Sequence, residues 1–475
     1  MIRILIYIGV YYVFLFPLQA QNKQLLFNFR EIPQQVMVNP GALIHQRGYV
    51  GVPFLSGVSA QFGSSGFNIY DLFADNGVNF NIKVQDVLYG LDRNDVVDVN
   101  EQWEILFGGF KGKGEANKNF YTFGIYQEFD LYNYWPEDLA LLAYEGNANN
   151  VGRSYNLRDL NTQGEIFTTF HFGINRRVNK NLTYGARAKF YSSMIHLSSL
   201  RNSGTFITVP GTENIYSHNV IADMALNTSG YASLWDQDID NAQELLRAIA
   251  PNSLFGGNYG LGLDLGFTYT PSSYWTYSAS LTDIGMMWHM NDTESYTLKG
   301  AYNLEGIEFL FGEATDDDFL NQYWDDLKKE LEEQLPLDTL SRNFASFRPV
   351  KFNGAVMYNF GNLNYRKTFE CDCDIDDTGF ENSVGLQLYA IKRPQHVNAA
   401  LTAFYYRRIF NFLRGKVTYT VNPYTFTNIG LGISTHFANF NFYLLADNLL
   451  EYSNLAKANQ AQVQFGFNYI FEGAR

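Results

Sequence analysis

The densest group of ligating side chains in the sequence is Asp372, Asp374, Asp376, Asp377 and Glu381 around the pair Cys371 and Cys373. Alternating carboxylates hold calcium when a glycine permits the turn at position six and a Glu closes the loop at position twelve. Counted from Asp372, those places carry Asp377 and Ser383, so the cluster reads as a solvated acidic turn. The two cysteines could form a local disulfide or touch a soft metal, but two ligands fall short of a closed site. Seven histidines are scattered, and none falls in a His-Glu-x-x-His spacing. No Gly-x-Ser-x-Gly elbow is present. Gly260, Gly262 and Gly266 mimic a dinucleotide fingerprint, yet they share one face of a strand and open no helix. His171 sits on a polar strand face and reads as a hydrogen-bonded residue rather than a base. No catalytic residue, metal or cofactor is therefore assigned, and the expectation is a protein that is not an enzyme.

The charges with more promise lie on alternating strands. Arg187 and Lys189 interrupt the polar face opposite Leu182, Tyr184, Ala186, Ala188 and Phe190; Asp264 does so opposite Leu263 and Leu265; Arg414 and Lys416 repeat the pattern. Side chains on a strand alternate between faces, so each cation opposes an apolar face. If the apolar face meets lipid, Arg187, Lys189, Asp264, Arg414 and Lys416 must look into a lumen, because a charge facing lipid near midplane costs about 2–4 kcal/mol. There they would form a network bracing the lumen or gripping an internal segment, or else guide the anionic end of a passing amphiphile.

The elements that would position them are membrane-barrel strands. From 462 to 471, Val463, Phe465, Phe467, Tyr469 and Phe471 alternate with Gln464, Gly466 and Asn468, and the strand is placed to close on the first one. Further strands are expected at 383–391, 397–408, 413–421, 426–435 and 439–447, with earlier ones near 166–174, 182–190, 259–269, 275–282 and 352–360. Leu281 to Gly285 should end or bulge its strand, because the apolar phase switches there. Pro53 argues for an edge, a bulge or the barrel seam. Two stretches break the pattern as loop insertions, 200–257 and 291–349. The first includes short strands near Thr205 to Val209 and a helix-like patch at 238–249, the second a candidate helix at 315–335 that could cover the rim or dock a partner. Residues 68–102 resist assignment.

Composition agrees. The 475 residues include 40 Phe and 33 Tyr, more than a soluble domain needs and what lipid-facing strands and interfacial girdles use. Mean hydropathy is only −0.20, as expected when half of each strand is wet. After the N-terminus there is no apolar run long enough for a helical span. Many strands exceed the usual five or six residues of soluble sheets, and no propeller-like repeat occurs. A net charge of −14 argues against nucleic acid as a partner. Residues 1–20 read as a secretory signal, with Arg3, an apolar run from Ile4 to Phe16 and Ala20 before the cut; the alternative is a short anchor. The fold expected is all-β: an outer-membrane β-barrel of about 14 antiparallel strands, within 12–16, spanning 48–475. Residues 21–47 would form a plug-like N-terminal segment.

Short motifs add a resemblance. Asn39-Pro40-Gly41-Ala42, then Val52-Pro53-Phe54-Leu55-Ser56-Gly57 leading to Asp71-Leu72-Phe73, then Leu281-Thr282-Asp283-Ile284-Gly285 with Trp288, resemble a family of exported Bacteroidetes barrels of unknown function. The resemblance extends distantly to the long-chain fatty-acid transporter class and to type IX secretion barrels. It implies that Asn39, Pro40 and Gly41 belong to a plug, although the transporter class usually has Ala where this chain has Gly41. The sequence also lacks a terminal Phe, since Glu472 to Arg475 follow Phe471. Two functions follow as expectations: a non-catalytic channel or binder for a hydrophobic small molecule, or a structural or docking subunit of a surface-export machine. Outer-membrane lipid surrounds either, and protein partners would meet the loops. A continuous apolar groove through the lumen would mark the first; a solid, charge-braced lumen with an exposed aromatic rim would mark the second.

Overall fold

The computed structural model describes residues 23–475 except 114–117, 212–215, 236–243, 245–249, 253, 306–328, 330–332, 365–378, 423 and 472–475. The signal-like segment, the Cys371 and Cys373 turn and most of the two candidate helices at 238–249 and 315–335 lie outside the described residues.

Among the described residues, alternation of apolar and small polar residues produces twenty strands. They are β1 (Gly48–Gly51), β2 (Val58–Ser64), β3 (Val96–Lys111), β4 (Asn119–Tyr134), β5 (Ser154–Asn156), β6 (Thr162–Arg177) and β7 (Leu182–Pro210). Next come β8 (Tyr216–Ser229), β9 (Asn258–Tyr269), β10 (Trp275–His289), β11 (Thr293–Glu305), β12 (Leu337–Leu340), β13 (Phe344–Phe347) and β14 (Lys351–Asn364). The last six are β15 (Gly379–Lys392), β16 (Val397–Arg408), β17 (Leu413–Val421), β18 (Asn428–Phe437), β19 (Phe440–Asp447) and β20 (Gln460–Phe471). Fourteen antiparallel strands close a barrel, with β1 and β2 as two halves of the first. β20 completes the ring by pairing with both halves, Gly48 opposite Phe471 and Gly63 opposite Gln460. Closure removes the sheet edges that would otherwise expose unpaired backbone.

The two faces differ as the alternation requires. Along β9, Leu261, Leu263, Leu265, Phe267 and Tyr269 are exposed on the outside, while Asp264 and Thr268 are buried inside. One end, that of Gly48 and Phe471, has short turns such as 178–181 and 438–439; the other has the long connections 65–95 and 135–161.

Irregularities sit where the sequence breaks phase. In β10 the register with β9 shifts between Leu281 and Ile284, and Asp283 takes a left-handed φ of 62°. The extra residue lets Thr282 and Asp283 both face inward. In the first strand, residues 52–57 leave the ladder, with Phe54 at φ 64° and its ring 5.7 Å from that of Trp103. Within the expected insertion, the strand near Thr205 to Val209 is the outer part of β7, which runs past the rim, and the chain returns as β8. β8 pairs with β11, and β11 with β12, around a small core of Leu157, Ala222, Tyr302 and Leu335. A strand that leaves the membrane no longer needs one greasy face, so its alternation fades from the sequence.

Candidate functional site in the barrel lumen

Residues from Lys23 to Ala42 run inside the barrel. Leu25, Leu26, Phe29 and Ile32 pack on Tyr443 and Leu445 of β19, and Val36 and Met37 pack beside Tyr49, Phe107 and Tyr126. A short segment without a sheet of its own leaves backbone carbonyls in need of donors, and the wall supplies them. Lys416 Nζ donates to the carbonyls of Phe27 at 2.7 Å, Leu25 at 3.1 Å and Gln24 at 3.3 Å. Arg187 donates to those of Met37 at 2.6 Å and Val36 at 3.1 Å. Ser280 Oγ donates to Val38 O at 2.6 Å, and Asn175 Nδ2 to Pro40 O and Ala42 O at 2.7 and 2.8 Å. Gln34 in turn bonds Ser56 O at 2.7 Å, Asn468 at 2.9 Å and Glu104 at 3.2 Å.

Asn39, Pro40 and Gly41 seat against bare backbone on β7 and β9. A Cβ at Gly185 would overlap the Pro40 carbonyl, one at Gly266 would overlap Asn39, and one at Gly41 would overlap the Gly266 carbonyl. The glycines on the inner faces of these strands thus permit close approach of the segment rather than widening the lumen.

Beside this segment the charges form a connected network. Arg187 Nε bonds Asp264 at 2.7 Å, and Lys189 Nζ lies 3.0 Å from Asp264 and pairs also with Asp283. Lys351 links Asp283 at 2.9 Å to Glu128 at 3.4 Å; Arg348 pairs with Glu165 and lies 3.7 Å from Glu128. Nearer the long loops, Arg393 meets Asp130 at 2.8 Å, and Tyr424 bonds Asp98. Buried ions need partners and hydrogen bonds to offset lost hydration, and these alternate in sign for that reason. Of the residues singled out from sequence, Arg187, Lys189 and Asp264 come together. Lys416 lies elsewhere in the lumen on the plug backbone, and Arg414 sits 3.4 Å from Glu31 of the plug.

Sequence reasoning missed Lys23, Glu128, Asp283, Arg348, Lys351 and Arg393. Glu128 and Lys351 stand on inner positions of their strands, a signal that alternation carried. Asp283 depends on the bulge, and Arg348 and Arg393 come from connections between strands. Among the described residues, two cavities of the lumen, one lined by Lys23, Gln102, Glu128 and Lys189 and one by Asn28, Arg30, Tyr406 and Arg408, are each about 40 Å³. That is space for water, whereas a dry cavity of about 150 Å³ is what takes up benzene.

At the long-loop rim, burial and the neighbouring Asp138, Asp92 and Asp159 raise the Glu137 carboxyl above its ordinary value. Like charges and lost hydration both disfavour the ionised form.

Residues 40–447 match the family described as "Family of unknown function (DUF5723)". The chain belongs to that family. Among curated proteins none matches the chain. Among solved structures, a FadL homologue of Pseudomonas aeruginosa shares 9% identity at a TM-score of 0.43, covering 94% of this chain and 95% of that one. The toluene transporter TbuX of Ralstonia pickettii shares 10% at 0.39, covering 93% and 94%. The translocator domain of the autotransporter NalP from Neisseria meningitidis shares 6% at 0.30, covering 90% and 89%. Similarity this low bears on neither cargo nor mechanism.

Proposed function

We propose that this DUF5723 protein is a non-catalytic barrel of the Gram-negative outer membrane that works at its rim, as a structural or docking subunit of a surface-export machine such as a type IX system. Its export would rest on residues 1–20 as a cleaved signal, and outer-membrane lipid would cover its apolar belt. The observation that carries the reading is the filled lumen: the Lys23 to Ala42 segment is held by Lys416 and Arg187 on its own carbonyls, and the rest is braced by paired charges. A barrel closed in this way offers its long loops and the β8–β11–β12 extension, rather than a passage, to other molecules.

A second reading keeps the hydrophobic small molecule. Among the described residues, the plug is held by hydrogen bonds, packing and the Arg414–Glu31 ion pair, all non-covalent, so withdrawal would turn the barrel into a channel in which Arg187 and Arg414 meet an anionic end. Native mass spectrometry of the protein, extracted gently from its own membrane, separates the two. A stoichiometric protein partner with no lipid-like adduct is the expected result. A small lipid-like adduct that is lost when Arg187 and Arg414 are replaced by Ala would overturn the docking reading in favour of transport.

A further inference from the structure

The connection from β2 to β3 is long for a barrel loop, and loops of that length with their own helices are commonly functional. It holds two helices, Ile69–Phe73 and Phe80–Gly90. Asn68 caps the first in a reciprocal box with Asp71, and Asn79 caps the second. Neighbours hold the pair in place: Lys457 Nζ lies 4.2 Å over the Tyr70 ring, and Tyr144 donates to Asn81 O at 3.2 Å. Lys83 turns inward and bonds the Ala74 carbonyl.

This fixed pair nevertheless shows its apolar side chains to solvent. Ile69, Phe73, Val78, Phe80, Ile82 and Tyr89 are between 43% and 70% exposed, and the rings of Phe73 and Phe80 are 6.0 Å apart. Taking roughly 150 Å² for each side chain, the low end of the aromatic range because three of the six are aliphatic, the exposed apolar area is on the order of 500 Å². That equals the largest patch of an ordinary monomer, which is often an interaction site. Its charges are predominantly acidic: Asp71, Asp75, Asp86 and Asp92 are exposed against two exposed cations, Arg93 and the Lys457 that lies over Tyr70, while Lys83 is buried. Carboxylates at this density are repelled by the anionic groups of a membrane surface and attract a basic one.

Resting on the docking reading above, we propose that the face formed by these two helices is the docking surface for a basic, apolar segment of a partner protein. The apolar residues supply the area that the partner must cover, and the exposed aspartates of the same loop select for Lys and Arg at its edge.

The test is a photo-crosslinking amino acid placed at Phe80 of the full-length protein in intact cells, with cross-linked peptides sequenced. The expected product is a peptide of another protein that carries net positive charge and apolar residues. Its yield should fall at least fivefold in Asp75→Asn/Asp86→Asn, a change at two exposed side chains that make no hydrogen bond among the described residues. Cross-links to lipid, to a second copy of this chain, to an acidic peptide, or to nothing would overturn the proposal. If native mass spectrometry still shows a protein partner in that case, the docking reading stands and only this surface fails.

Discussion

Replacing Arg187 with Met separates the hold on the plug from the stability of the wall. The guanidinium donates to Met37 O and Val36 O of the plug as well as to Asp264. Met fills similar space without donors, so two buried carbonyls lose their partners, at about 1–3 kcal/mol each. Asp264 is not stranded, because Lys189 remains 3.0 Å away and the Asp283 N–H bonds it at 2.7 Å. The loss therefore falls on the plug. Taking about 3 kcal/mol as the net effect, and 1.4 kcal/mol per factor of ten, local opening should increase on the order of 100-fold. Hydrogen exchange with mass spectrometry reads this directly at Met37, Asn39 and Ala42, whose amides bond within the plug to Gln34 O, Gln35 O and Asn39 O. Exchange there should accelerate while the amides of β6 and β7 keep their protection. A change under about tenfold, or equal loosening of plug and wall, would refute the claim that Arg187 holds the segment.

Lys416→Met should act in the same way on the other end of the plug, accelerating exchange from Gln24 to Phe29 with little effect near Asn39. Gly266→Val should push Asn39 and Pro40 off the wall at a cost of about 1–3 kcal/mol of overpacking, seen as increased protease access to residues 34–42 in an intact barrel. Leu265→Arg puts a charge on the lipid face and should cost about 2–4 kcal/mol in refolding titrations in lipid; an effect below 1 kcal/mol would move Leu265 out of the membrane belt.

The barrel was legible because β9, β17 and β20 carry a period of two with unlike faces, and that period is the physical requirement for a wall between lipid and lumen. The inward direction of Arg187, Lys189 and Lys416 followed from the same requirement. A grip on the plug was one of the expected roles, but the atoms gripped were not legible: Lys416 meets three plug carbonyls, and backbone acceptors have no sequence signature. The close approach that Gly185 and Gly266 allow to Pro40 and Asn39 was not legible either, because a glycine on an inner strand face does not say what lies against it. Asp283 was invisible for a related reason, since a bulge reassigns faces locally. β7 beyond the rim and β8 were obscure because, once outside the membrane, both faces of a strand can be mixed.

The most direct measurement is single-channel conductance in planar lipid bilayers, comparing the wild-type protein with a chain lacking residues 23–41 whose barrel is verified by heat-modifiable migration. A silent wild type and a steadily conducting deletion are expected if the plug and its carbonyl-holding cations close the lumen. Steady ion flow through the wild-type protein would contradict the closed barrel and, with it, the case for a protein that acts at its rim.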